Sequence, residues 1–274
     1  MIDRDKIIRR IRESRSYGAT QRTEIDGTPV FLKTGPSTSY DMLAAEAEGL
    51  SDLASAAAVR VPQVFGFGKD DGIAFLATEW LDLGRSTRDA ETQLGTQLAA
   101  LHRATADRYG WHRDNTCGPT PQLNPWIDDW VAFFREHRLA YQLELARCNG
   151  FGGALQASGA QLLERLDRFF DGHTPEASLL HGDLWGGNWG CCDGEPVIFD
   201  PAVYYGDRET DIAMTRLFGG FGPAFYAAYE DAWPLAPGSH ERCDLYQLYH
   251  VLNHVNMFGG GYLGQAQRLI DNLL

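Results

Sequence analysis

Asp183 and Asn188 stand five positions apart, and a second acid, Asp200, follows twelve positions after Asn188. The first two lie in Leu179-Leu180-His181-Gly182-Asp183-Leu184-Trp185-Gly186-Gly187-Asn188, and the third closes the apolar run Pro196-Val197-Ile198-Phe199. Three hard oxygen donors in this order suit phosphoryl transfer from ATP to a hydroxyl, whose barrier falls mainly through positioning and through neutralising phosphate charge. Asp183 fits the base that takes the hydroxyl proton, and Asn188 and Asp200 fit the magnesium ligands. Magnesium keeps waters and phosphate oxygens in its octahedron, so one carboxylate and one amide oxygen suffice from the protein. His-Gly-Asp by itself is an ordinary turn sequence. The spacing to both Asn188 and Asp200, flanked by Leu179-Leu180 and Val197-Ile198-Phe199, is what makes it a candidate site.

The preceding elements supply what such a centre needs. Thr23-Glu24-Ile25 and Val30-Phe31-Leu32-Lys33 around Asp26-Gly27 read as a hairpin. Leu43, Ala47, Leu50, Leu53 and Ala57 recur at helical spacing from Tyr40 to Ala58, with Ser39 placed as an N-cap. Two further strands, Gln63 to Phe67 and Ile73 to Thr78, flank the turn Lys69-Asp70-Asp71-Gly72. The expectation is an α+β, two-lobed molecule: residues 1–81 a small lobe with an antiparallel sheet plus one helix, residues 82–274 a larger, mainly helical lobe.

Helical patterns in the second part are marked by Leu94, Leu98 and Leu101, by Trp130, Phe133, Phe134, Tyr141 and Leu145, and by Leu162, Leu163, Leu166, Phe169 and Phe170. Pro119-Thr120-Pro121 and Asn124-Pro125 read as a loop before the second of these, and four more helical stretches follow Asp200. ATP would occupy the cleft between the lobes, its adenine edge reading backbone groups of the connector Glu79-Trp80-Leu81. Lys33 at its strand end would reach the α and β phosphates, and Glu46 near the helix start would hold Lys33 in place.

Charge narrows the partners. With 24 basic and 37 acidic residues the formal charge is −13, which disfavours nonspecific binding to nucleic acid or to anionic membranes and tolerates a cationic substrate. No run of about 18 apolar residues is present, and Met1-Ile2-Asp3-Arg4-Asp5-Lys6 carries charge where a signal peptide would be apolar, so a cytoplasmic location is expected. The five cysteines form no CxxC pair and are expected as reduced thiols. A 274-residue chain suits one large domain or two lobes, and a monomer and a homodimer both stay open.

Leu180 to Asn188, Phe199-Asp200-Pro201-Ala202 with Tyr205-Gly206, Leu217-Phe218-Gly219-Gly220-Phe221, Pro121-Gln122-Leu123-Asn124 through Asp128-Asp129-Trp130, and Tyr246 to Tyr249 with Leu252-Asn253-His254 carry a wider pattern. On these segments the chain resembles the fructosamine kinase (ketosamine-3-kinase) family over nearly its whole length. That family shares a protein-kinase-like fold with aminoglycoside and choline phosphotransferases. The resemblance implies ATP- and magnesium-dependent phosphorylation of the 3-hydroxyl of ketosamines, the fructosamine or ribulosamine products of amine glycation. The resulting ester is unstable and releases the amine, a deglycation. By residue match it implies Asp183 as base, Asn188 and Asp200 as metal ligands, Lys33 and Glu46 at the phosphates, and His181 as support for the loop.

Several readings stay open at this level. Trp185 either packs on the sugar or amine arm of the substrate or is buried against the helical lobe. Asp128 and Asp129 either meet a cationic nitrogen or cap a helix. The resemblance places the phosphate loop at Glu13-Ser14-Arg15-Ser16-Tyr17-Gly18, where Gly18 is the single glycine. That departure implies either a looser hold on ATP or Ser14 and Ser16 hydroxyls in place of backbone amides. A kinase for another amino sugar, an aminoglycoside or a choline-like alcohol, and a non-catalytic nucleotide-binding protein, remain as alternatives; Asp200-Pro201-Ala202 argues against the first.

Overall fold

The computed structural model describes residues 2–14, 18 and 20–274. Strands β1 (Thr20–Ile25), β2 (Thr28–Pro36), β3 (Val64–Asp70) and β4 (Ile73–Glu79) form an antiparallel sheet in the order β1-β2-β4-β3. Asp26-Gly27 closes the first hairpin with φ of 51° and 77°, and Asp71-Gly72 closes the second with 45° and 79°. Two left-handed residues in a row give the turn whose twist matches that of the flanking strands.

β4 is covered on both faces, which explains its unbroken apolar run. Ala74 and Leu76 pack with Leu43 and Ala47 of helix α2 (Tyr40–Ser55); Phe75 and Ala77 pack with Ile7 and Ile11 of helix α1 (Arg4–Ser14). Helix α1 corrects the expectation of one helix in this lobe: among the described residues there are two. Seven of its eleven residues are charged, so its apolar stripe is too narrow to stand out by periodicity. Ser39 does not cap α2 through its side chain, because a 3-10 turn over Ser37–Ser39 runs directly into the helix.

The second lobe contains α3 (Arg88–His102), α4 (Trp130–Phe134), α5 (Tyr141–Cys148), α6 (Ala154–Glu164), α7 (Glu209–Leu217), α8 (Pro223–Ala232), α9 (Ser239–Phe258) and α10 (Leu263–Leu273) around one large core. A three-stranded sheet joins β5 (Thr105–Ala106), β8 (Ala177–Leu180) and β11 (Tyr204–Gly206), and a hairpin is made by β9 (Trp189–Cys192) and β10 (Glu195–Ile198). Pro119-Thr120-Pro121 is not purely a loop: β6 (Asn115–Cys117) pairs there with β7 (Thr120–Gln122).

Between α4 and α5 the helix passes through a π-helical stretch, Arg135–Ala140, which the apolar pattern did not reveal. Arg138 within it is fully buried. Its guanidinium lies 4.2 Å from the Tyr204 ring and donates to Leu123 O and Asn124 Oδ1, each at 2.7 Å. The lobes are tied where Ile198 N donates to Arg60 O (3.0 Å), and within the second lobe Gly84 N donates to Cys191 O (2.8 Å). Among the described residues no helix is long and apolar enough to cross a membrane, and the five cysteines are free.

Candidate active site

The chain leaves β8 at Leu180 and turns at Gly182, whose φ is 80° and whose Cβ, if present, would lie 2.0 Å from Ala202 O. Only glycine allows that approach. His181 is buried; its Nδ1 accepts from Asp183 N (3.3 Å) and its Nε2 donates to Phe199 O (2.9 Å), while His181 O accepts from Ala202 N (2.8 Å). His181 therefore fastens the loop carrying Asp183 to the segment carrying Asp200. Asn188 Nδ2 donates to Asp183 O (2.8 Å), which leaves its Oδ1 as the free hard donor. Asp200 itself has φ of 56° directly before Pro201, a left-handed non-glycine conformation costing about 1–3 kcal/mol that the surrounding bonds must hold.

Buried amides supply part of that hold. Gln122 Nε2 donates to Ala202 O (3.1 Å) and to Asn115 Oδ1 (2.8 Å), Asn115 Nδ2 donates to Val203 O (2.7 Å), and Tyr249 OH donates to Gln122 Oε1 (2.7 Å). The segment Pro121 to Asn124 thus braces the backbone just after Asp200.

Lys33 on β2 reaches across the cleft. Its Nζ donates to Glu46 Oε1 of α2 at 2.8 Å and to Asp200 Oδ1 at 2.7 Å. Burial by itself would lower the Lys33 ammonium, but the charges of Glu46 and Asp200 outweigh it and raise it. Burial raises the Glu46 carboxyl, with Lys33 pulling the other way.

Asp183 is pushed up to about 7, first by burial and then by the charges of Asp211 and Asp200. Asp211 is the residue that sequence reasoning missed. Its carboxylate, on α7, accepts from His181 N (2.7 Å), Gly182 N (2.9 Å) and His102 Nε2 (3.2 Å) and is buried. Burial opposes its ionisation, yet the hydrogen bonds from His102 and from the Gly182 amide hold it below the usual range. Arg208 donates to Tyr229 OH (2.9 Å), which lies 2.8 Å from His102 Nδ1, so the proton facing Asp211 is on Nε2. The signal was the acid run Asp207-Arg208-Glu209-Thr210-Asp211 directly after the Tyr205-Gly206 pair.

Two adjoining cavities share Glu46 and Asp200. One is apolar, bounded by Phe31, Leu50, Pro62, Trp80, Leu81 and Phe199, with Glu79 at its edge; Glu79 also pairs with Arg60 at 2.7 Å. The other brings together Lys33, Asp183, Trp185, Asn188 and Asp200. Trp185 is 40 % exposed and meets Phe218 edge-on at 6.5 Å, so it is not buried in the helical lobe. Its ring folds back over Gly187, where a Cβ would come within 2.3 Å of it. Beyond it lies an aromatic recess with Phe218, His254, Met257, Phe258 and Tyr262.

Asp128 and Asp129 line neither cavity. Asp128 pairs with Arg108 at 2.6 Å, and Asp129 caps α4 by accepting from Ala132 N at 2.7 Å. Of the Glu13 to Gly18 phosphate loop, Arg15, Ser16 and Tyr17 lie outside the described residues.

The donor set fits magnesium: Asn188 Oδ1 and the Asp200 carboxylate are hard oxygens on one cavity wall, with no thiol or imidazole among them. The apolar slot beside it fits a flat base.

A model of the fructosamine kinase family matches residues 14–274. A protein of Synechocystis sp. provisionally named ketoamine kinase is 46% identical over 246 residues, 89% of this chain and 82% of its own. A chloroplastic protein-ribulosamine 3-kinase of Oryza sativa subsp. indica is 41% identical over 260 residues, 93% of this chain and 75% of its own. Among solved structures, a protein of Haemophilus somnus 129PT with the provisional name fructosamine-3-kinase superposes with a TM-score of 0.85 at 33% identity, covering 92% of this chain and 86% of that one. An aminoglycoside phosphotransferase shares the fold alone, with a TM-score of 0.61 at 17% identity over 96% of both chains. The lobes, the Asp183 loop and these matches agree, and the chain belongs to the fructosamine kinase family.

Proposed function

We propose that the protein transfers the γ-phosphoryl group of ATP to the 3-hydroxyl of ketosamines, fructosamine or ribulosamine adducts of amines, and so initiates their deglycation. The observation that carries this reading is the convergence of Lys33, Asp183, Asn188 and Asp200 on one cavity wall, with Trp185 at its rim, in a chain of this family. The hydroxyl oxygen bonds to the γ-phosphorus as the bond to the β–γ bridging oxygen breaks; the hydroxyl proton passes to Asp183, and ADP leaves. A carboxylate near 7 is well matched to that transfer, since a base works best with a pKa close to the operating pH. Asn188 and Asp200 would hold magnesium, which when bound neutralises charge on the phosphate oxygens. Lys33, steadied by Glu46, grips the phosphates, and the backbone of Glu79, Trp80 and Leu81 reads the adenine edge.

In this reading residues 1–81 grip the nucleotide, and residues 82–274 provide the catalytic loop and the acceptor side. The free thiols support a reducing, cytoplasmic setting.

The test is ADP release with fructoselysine, ribuloselysine, free ketoses, choline and aminoglycosides as acceptors. Turnover with ketosamines is expected; turnover confined to aminoglycosides or choline would sink the assignment, and ATP binding without turnover would favour a binding protein. Lys33→Met should lower kcat/KM for ATP by about 10²–10³, the scale for losing one positioned electrostatic donor. Unchanged ATP kinetics would remove Lys33 from the phosphates. Trp185→Ala should lower kcat/KM for a ketosamine by about tenfold, the worth of one aromatic contact, with KM for ATP and thermal stability unchanged. A fall in stability with unaltered ketosamine kinetics would show a structural role instead.

A further inference from the structure

Behind the catalytic carboxylate lie two side chains, Cys117 and His250, that phosphoryl transfer does not use. Cys117, at the end of β6, and His250, on α9, each bring a ligand-type atom to within 4.8 Å of the other and of an Asp183 carboxylate oxygen. Cys117 is 3 % and His250 4 % exposed. His250 Nδ1 is enclosed and has no hydrogen-bond partner among the described residues. A buried polar atom left without a partner is destabilising, and a bound ligand at such an atom would relieve it. Burial lowers the His250 imidazole to about 3, so the ring meets a cation as a neutral donor. Cys117 and Asp183 both face the recess bounded by Trp185, Phe218 and Met257, which gives an entry path.

We propose that Cys117 Sγ, a ring nitrogen of His250 and the Asp183 carboxylate form an inhibitory site for a thiophilic divalent cation of the zinc(II) class. One sulfur, one nitrogen and one oxygen with a fourth position open is a donor set that zinc accepts and magnesium rejects, so the site does not compete for the catalytic cation. Zinc–sulfur and zinc–nitrogen bonds of about 2.3 and 2.0 Å place tetrahedral ligands about 3.5 Å apart, which the three side chains reach by shifts on the order of an ångström. Burial and the charge of Asp183 hold the Cys117 thiol well above its usual range, so the sulfur–metal bond forms as the thiol proton leaves to solvent. A metal-bound Asp183 cannot take the acceptor's proton. That consequence rests on Asp183 being the base; the binding itself does not.

The test uses the whole chain, with cobalt(II) as a spectroscopic probe and zinc(II) as inhibitor under saturating magnesium, ATP and ketosamine. The wild type should bind one equivalent of cobalt with a thiolate-to-metal absorption band, which zinc abolishes as turnover is lost. Cys117→Ser and His250→Asn should keep turnover within about twofold, lose the band, and need at least about tenfold more zinc for half-inhibition. Absence of a thiolate band in the wild type overturns the site, whatever the variants do. Zinc sensitivity unchanged in both variants overturns it as well. A band that zinc displaces without loss of turnover overturns the inhibitory role and directs the failure to Asp183 as base.

Discussion

Asp183→Asn should lower kcat by about 10²–10⁴, the usual worth of a positioned general base, while KM for ATP stays near the wild-type value. Thermal stability is not expected to fall. The wild-type carboxyl is raised from an ordinary 3.8 to about 7 in the folded chain by burial and by Asp211 and Asp200. A folded-state pKa above the unfolded one means that the folded chain binds the proton more tightly. Stability from this group is therefore complete below about pH 4 and lost as pH rises toward about 7. Asparagine is neutral throughout, so the melting temperature of Asp183→Asn relative to wild type should climb between those pH values. Stopped-time ADP assays and melting curves at acid and neutral pH check both parts. Full activity in the variant removes the base assignment, and a melting difference independent of pH removes the electrostatic account.

Asp211→Ala should be the most destabilising single change near the site. It strips the acceptor from His181 N, Gly182 N and His102 Nε2, all pointing into protein. Breaking a buried, multiply bonded carboxylate typically costs about 3–5 kcal/mol, which for a chain of this size corresponds to a melting shift on the order of 10 °C. Activity should fall further than folding alone explains, because the amides released are those that set the direction of Asp183. Denaturant unfolding compared with kcat measured well below the transition separates the two effects. A melting point within about 2 °C of wild type would mean that the loop holds its shape without Asp211.

Much of this was legible because it is local. The Asp183, Asn188 and Asp200 triad, Gly182 and the tight hairpin turns are short-range patterns in which residue type and backbone conformation are coupled. Helix α1 escaped because its buried face is only Ile7 and Ile11 amid charge. The π-helical stretch escaped because one of its two buried residues, Arg138, looks like any surface arginine until Tyr204, Leu123 and Asn124 are brought around it. Asp128 and Asp129 were equally ambiguous in sequence, and their neighbours Arg108 and Ala132 N decided that both are occupied outside the cavity.

The sequence by itself carried the family and the order of the candidate donor atoms, since hard oxygen ligands at fixed spacing permit few chemistries. Tertiary structure alone decided how those atoms behave. The level of Asp183 is set by burial together with Asp200 and Asp211, the pairing of Lys33 by Glu46 on another element and Asp200 on the other lobe, and the exposure of Trp185 by what the second lobe leaves uncovered. Burial and Coulomb interaction sum over neighbours in space, and those neighbours lie as far apart in the chain as Lys33 and Asp200.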